Sequence, residues 1–330
     1  MIVFQNWDEL EANKDKIQGK IVCFNHPWKD YEDSYEYRVN GASRAAKYGA
    51  VAMLVRSVAS KSIYSVHAGY QEYDPAQPKI PAAAITVEDA EMFQRMQARG
   101  QKIVVELNID SKSVDNCYSN NLVFEIVGSE FPDQIVLAGG HIDSWDTGSQ
   151  TGANDDGGGF VTVFEAFRLL KESGYRPRRT MRFIAWSGEE QGTPESGADD
   201  YMRRHKDEIK KHVAAFESDE GSTLLLGMGN TNGDEKIVKG ILENYLSLID
   251  ASKYEPDGEM VDNGPLCDEG VACFKNLIKD TEDHEYYFRY HHTAGDSMSV
   301  MNPEEMDSNV LGIATFLYIV ADLEKTVRTV

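Results

Sequence analysis

The chain has 330 residues, 41% of them hydrophobic, and its 55 Asp and Glu against 33 Lys and Arg give a formal net charge of −22. That length and apolar content suffice for two domains with real cores. So acidic a chain repels nucleic acid and anionic membrane surfaces, and neither is an expected partner.

No run of about 18 apolar residues occurs, and the segment from Met1 to Asp8 lacks the basic start and apolar middle of a signal peptide. Cys23, Cys117, Cys267 and Cys273 are too scattered for a disulfide framework or a zinc knuckle, which leaves a local pairing of Cys267 with Cys273 open.

In chain order, Lys20 to Phe24 reads as a buried strand, Gly41 to Gly49 as a small-residue helix and Ala50 to Val55 as a second strand. Ile80 to Ile85 is extended, Val87 to Arg99 is helical, and Lys102 to Leu107 reads as a strand. His26 and His67 stand alone there and read as structural. The polar stretch from Asn108 to Asn121 marks the domain junction, giving domains of 1–112 and 113–330. Beyond it, Leu122 to Val127 and Gln134 to Ala138 flank a turn and suggest an antiparallel pair. Helices over Gly158 to Lys171, Ala198 to Lys211, Lys236 to Ile249 and Asn309 to Leu323 then alternate with strands over Thr180 to Trp186 and Val213 to Glu217. That is an α/β sheet domain, whose ligands gather at the carboxyl ends of strands.

The chemistry-bearing residues fall at those ends. His141 follows an apolar run, and Asp143, two residues on, can accept the ring's other N–H. Asp155 precedes three glycines, where small residues let ions approach and a carboxylate can bridge two cations; the bland alternative is that Asp155-Asp156 only caps a helix. Glu189-Glu190 follows a strand, one carboxylate suited to a metal and its neighbour to a proton, unless both merely face solvent. Asp219 follows another strand, and His292 precedes the last helix. Mixed nitrogen and oxygen ligands with one carboxylate to spare suit two zinc ions sharing a bridging carboxylate.

In this order, Gly-His-x-Asp-Ser-Trp-Asp, Asp-Asp-Gly-Gly-Gly, Trp-x-x-Glu-Glu-Gln, Glu-Ser-Asp and His-His-x-x-Gly-Asp-x-Met, the chain resembles the di-zinc exopeptidases related to aminopeptidases and glutamate carboxypeptidases. The likeness extends to Arg56–Ser65 and Lys79–Pro81, which resemble that family's protease-associated domain. It implies a mixed-sheet zinc exopeptidase domain of phosphorylase/hydrolase-like α/β fold with an amino-terminal protease-associated β/α domain. It implies two zinc ions per chain: His141 on one, His292 on the other, Asp155 bridging, and Glu190 and Asp219 completing each shell. Glu189 would be the general base and Asp143 would orient His141. The resemblance further implies a cis peptide after Asp155, hydrolysis of dipeptides or short peptides with free termini, a homodimer, and a secreted or lysosomal address. On this reading the amino-terminal part of the family's peptidase domain is absent. Leu266 to Gly270 carries no tyrosine where some relatives stabilise the oxyanion, so His291 becomes the candidate for that contact. The competing reading is a catalytically silent receptor-like or scaffolding homologue of the same fold, which would ordinarily have lost ligands.

Overall fold

The computed structural model describes residues 1–112, 114, 117–145, 150–192, 196–279 and 286–329. Ser113 at the expected junction and Asp146 at the end of the His-x-Asp motif lie outside them. The described residues form two compact units, the first drawn from 1–117, 145–150 and 284–295, the second from 118–144, 151–283 and 296–330.

The first unit is built on a four-stranded parallel sheet of β1 (Ile2–Phe4), β2 (Ile21–Phe24), β3 (Ala52–Arg56) and β4 (Ala82–Ile85), in that order. Alternation sends Val22, Phe24, Met53 and Val55 to one cluster and Cys23 and Leu54 to the opposite one. Helix α1 (Trp7–Ala12) is capped by Asn6 and α2 (Tyr31–Ala46) by Asp30, each side chain accepting a backbone N–H of the first turn. Helix α2 starts ten residues before the expected Gly41, because its first turns carry polar residues that an apolar pattern does not mark. Helix α3 (Val87–Ala98) is capped by Thr86, and the one-turn helix α8 (Tyr287–Tyr290) belongs to the same unit. Lys102 to Leu107 is not a strand. Ile103, Val105 and Leu107 alternate onto the cluster of Val3, Cys23 and Leu54, but the segment joins no ladder. Burial of every second side chain imitates a strand without its hydrogen bonds.

The second unit holds a seven-stranded mixed sheet. Its strands are β5 (Leu122–Ile126), β6 (Phe131–His141), β7 (Arg179–Trp186), β8 (His212–Glu217), β9 (Leu225–Thr231), β10 (Lys253–Glu255) and β11 (Ala272–Ile278), in spatial order β10-β9-β11-β8-β6-β7-β5. The expected β5–β6 pair does not form. Both strands flank β7, β5 antiparallel and β6 parallel to it, because β6 runs in the direction that lets it share ladders with β7 and β8. In β7, Met181, Phe183 and Ala185 face one core and Ile184 and Trp186 the other, as expected of a strand covered on both sides.

Helices α4 (Gly158–Glu172), α6 (Glu235–Asn244) and α9 (Pro303–Asp322) contribute Phe167, Leu242 and Phe316 to the first of these cores. Helix α5 (Gly197–Arg204) and α7 (Gly264–Asp268) contribute Tyr201 and Leu266 to the other. The helix expected over Ala198 to Lys211 stops at Arg204, where Glu208 turns back to meet Arg182 and His205. That expected over Lys236 to Ile249 breaks at Tyr245 into a short 3-10 turn that drives Leu246 into the core. The closing helix starts at Pro303, six residues before Asn309, with Asn302 as its cap. Cys267 and Cys273 form a disulfide joining α7 to β11, with Cα atoms 5.7 Å apart. No helix among the described residues is long and apolar enough to cross a membrane.

Candidate metal centre

Parallel pairing of the central strands assembles the site. In the register, His141 at the end of β6 stands beside Trp186 at the end of β7, and Gly139 beside Glu217 at the end of β8. Residues just past these ends, Gly188 to Glu190 and Ser218-Asp219, therefore emerge at one edge of the sheet. Asp155 arrives from the segment Ala153–Gly157 that leads into α4, and the peptide joining it to Asp156 is cis.

His141 is fully buried. Its Nδ1 lies 3.0 Å from the Asp143 carbonyl oxygen. A carbonyl can only accept, so Nδ1 carries the proton and Nε2 presents a lone pair. The sequence reading assigned this task to the Asp143 carboxylate. That carboxylate instead stands 3.7 Å from Nδ1 and accepts the backbone N–H groups of Gly188 (2.7 Å), Glu189 (3.2 Å) and Glu190 (3.3 Å). Asp143 thus orients the ring through its main chain and fixes the glutamate pair through its side chain.

Around Nε2 stand Asp219 Oδ1 at 3.1 Å, Asp155 Oδ1 at 3.3 Å and Glu189 Oε2 at 3.9 Å. A lone pair facing buried carboxylates is untenable without a cation between them. Burial disfavours the imidazolium, yet Asp219, with the hydrogen bonds to Asp155 and Asp219, raises His141 well above its ordinary pKa. Burial, then Asp219, likewise push the Glu189 and Asp156 carboxyls well above the usual range. Ligand atoms of His141, Asp155 and Glu190 all lie within 4.8 Å of one another, as do those of His141, Asp156 and Asp219. A clustered imidazole and carboxylates of this kind fit zinc.

Asp155 faces His141, whereas Asp156 accepts the N–H of Gly159 at 3.1 Å in the first turn of α4 and the N–H of His141 at 3.1 Å. Gly140 and Gly159 lack side chains where Asp156 lies, since a Cβ on either would collide with its carboxylate.

Three further acids escaped the sequence reading. Asp296 accepts the N–H groups of Asn154 (2.6 Å) and Asp155 (3.1 Å) and so sets the Asp155 segment. Glu217 accepts those of Asp262 (3.1 Å) and Asn263 (2.5 Å), and burial with Asp219 nearby pushes it up to about 8. Asp262 is buried and raised by burial and by Glu217 and Glu189. Only Asp296 had a signal, its place in the His-His-x-x-Gly-Asp run. His291 and His292 fall within the first unit, where both are buried and their rings stack with centroids 3.5 Å apart.

The model of peptidase family M28 matches residues 121–317. The chain is 42% identical over 327 residues to carboxypeptidase Q of Mus musculus, spanning 98% of this chain and 68% of that one. It is 43% identical over 328 residues to carboxypeptidase Q of Homo sapiens, spanning 98% and 67%. A crystal structure of a peptidase M28 precursor from Shewanella amazonensis superposes with a TM-score of 0.91 at 30% identity, over all of this chain and 75% of that one. The fold is shared with a zinc aminopeptidase from Bacillus subtilis, at TM-score 0.68 and 20% identity over 98% of this chain and 74% of that one. The mixed sheet, the buried ligand cluster at its edge and these likenesses agree: the chain belongs to peptidase family M28 and is a zinc metallo-exopeptidase.

Proposed function

We propose that this enzyme is a two-zinc peptidase of carboxypeptidase or dipeptidase type, cleaving dipeptides or short peptides. His141, Asp155, Glu190, Asp219 and His292 would hold the metals, with Asp155 shared between them. The observation that carries this is the His141 lone pair turned toward buried carboxylates, an arrangement that calls for a cation. Zinc bound there supplies Lewis acidity, polarising the scissile carbonyl and acidifying water. The Glu189 carboxylate accepts the proton of the attacking water and delivers it to the leaving amine. Asp143 holds Glu189 and Glu190 by their backbone, and Asp296 holds Asp155. His291 is the candidate contact to the substrate or its oxyanion.

The reading extends to a protease-associated domain over 1–112, a peptidase domain over 113–330 and a homodimer. The names of the carboxypeptidase Q relatives support the substrate class. A secreted or lysosomal address is supported by the Cys267–Cys273 disulfide, which belongs to an oxidising compartment.

Zinc content of the purified chain by plasma emission, together with cleavage of a dipeptide panel, tests the proposal. About two zinc per chain with dipeptide hydrolysis is the expected result. One zinc per chain, or metal without dipeptide cleavage, would reject it.

A further inference from the structure

His292 sits in the first unit with φ at +61°, a left-handed conformation uncommon for a non-glycine residue. Two main-chain contacts to one residue hold it: Ala68 N–H donates to the His292 carbonyl at 2.8 Å, and the His292 ring Nδ1 lies 3.1 Å from the Ala68 carbonyl oxygen. The indole N–H of Trp145 stands 3.2 Å from His292 Nε2. An indole N–H can only donate, so Nε2 is the unprotonated nitrogen and Nδ1 carries the proton that goes to Ala68. Both neighbours therefore select the same tautomer.

The Ala68 carbonyl is itself held. The guanidinium of Arg38, a buried residue of α2, donates to the same oxygen through Nη1 at 3.2 Å, while its Nη2 donates to the Tyr31 hydroxyl at 3.0 Å. Gly69 leaves the room for it, since a Cβ there would collide with the guanidinium. One carbonyl thus takes a hydrogen bond on each lone pair, from a buried cation on one side and from the imidazole on the other.

We propose that Arg38, acting through the Ala68 carbonyl, is a positioning residue that holds His292 with Nε2 unprotonated, so that zinc can take that lone pair in place of the Trp145 N–H. This rests on the reading of His292 as a ligand. Partners that fix the unligated ring nitrogen govern metal affinity, and their loss weakens binding about 10- to 100-fold. With Arg38 replaced, the carbonyl keeps only the imidazole's hydrogen bond and holds the ring less firmly.

The test uses the full chain and zinc itself, titrated against a chelating dye. Arg38→Met should weaken one of the two zinc sites by about 10- to 100-fold while leaving the other and the far-ultraviolet circular dichroism unchanged. Arg38→Lys, which keeps a donor, should recover part of that loss. His292→Ala should abolish the same site. If His292→Ala keeps both zinc ions at full affinity, the ligand reading fails and the inference with it. If His292→Ala loses one zinc but Arg38→Met binds both as tightly as the unaltered chain, the inference alone fails. Nitrogen-15 spectra of the unaltered, zinc-stripped protein supply a second readout that does not depend on a variant folding. A protonated Nδ1 and unprotonated Nε2 at His292 support the assignment, and the opposite tautomer overturns it.

Discussion

The two sheets are made by the same rules and differ in what they bury. In the first unit the strands β1 to β4 enclose apolar side chains, and no carboxylate among its described residues is buried; Arg38, His67, His291 and His292 are. In the second, Asp155, Asp156, Glu190, Glu217, Asp219, Asp262 and Asp296 are all buried. Packing explains the apolar part of the first pattern without reference to function, while Arg38 and His292 belong to the proposed zinc site. The second costs free energy, because each carboxylate removed from water must find hydrogen bonds or a cation. Asp156, Glu217 and Asp296 are satisfied by backbone N–H groups, and the remaining charge converges on His141. A sheet edge that gathers like charges instead of excluding them is what supports the proposed catalytic site.

The sharpest way to break that comparison is to remove the proton acceptor while keeping the shape. Glu189→Gln should lower turnover by about 10²–10⁴-fold with zinc content unchanged. Steady-state cleavage of a dipeptide at the unaltered rate would assign the proton to another group.

Next in size is the core that holds the sheet together. Phe183 is fully buried and its ring meets those of Phe124, Phe160, Phe164 and Phe167. Phe183→Ala should cost about 3–5 kcal/mol, read from urea unfolding. In the first unit Phe93 is only half-buried, and Phe93→Ala should cost well under half as much. Equal losses would mean that Phe93 packs as closely as Phe183.

The contrast also separates what the sequence discloses from what it hides. His141, Glu189, Glu190 and Asp219 are legible because each ends or follows an apolar run, and parallel strands align such ends, whereas Asp155 is marked by the glycines that follow it. The identity of neighbouring strands is not legible, since β5 and β6 lie close in sequence yet are separated by β7. Strands β9 and β11 escaped for another reason. Gly227 and Gly229 break the pattern of β9 because neighbouring backbone at Lys253 and Asp257 occupies the space of a side chain. Lys275 and Asn276 break that of β11, being buried against Asp257 and Asn309. The role of Asp143 was half legible: its nearness to His141 follows from spacing, but which of its oxygens meets the ring is decided by the Gly188 to Glu190 backbone.

A pH experiment sharpens the comparison further, because the second unit also buries a histidine away from the site. His212 Nδ1 lies 3.0 Å from the Glu208 carbonyl and its Nε2 2.8 Å from the Tyr201 hydroxyl, and burial lowers its pKa from 6.5 to about 4. The folded form refuses a proton that the unfolded chain accepts. Its contribution is therefore complete above pH 6.5 and is lost as pH falls toward about 4. Across that window one proton corresponds to a slope of up to about 1.4 kcal/mol per pH unit. Urea midpoints of His212→Gln should fall less steeply over the same range. Parallel slopes would show that the folded protein binds the proton at His212 after all.

The smallest effect is the one on which the two units should agree. Asn302 accepts the N–H groups of Glu304 (3.0 Å) and Glu305 (3.4 Å) ahead of Pro303, which fixes the first turn of α9, and Asp30 accepts that of Asp33 (2.7 Å) at the start of α2. Each cap satisfies N–H groups that have no partner within the helix. Asn302→Ala and Asp30→Ala should each cost about 1 kcal/mol in urea unfolding. The charge of Asp30 favours the helix dipole but faces Glu32 and Asp33 in the same turn, so it adds little over the neutral Asn302. A much larger loss at Asn302 alone would mean that the entry to α9 does more than begin a helix. Its neighbour in that case is Asn309, whose side chain donates to the Thr223 and Glu305 carbonyls and accepts from Asn276, tying the helix to β11.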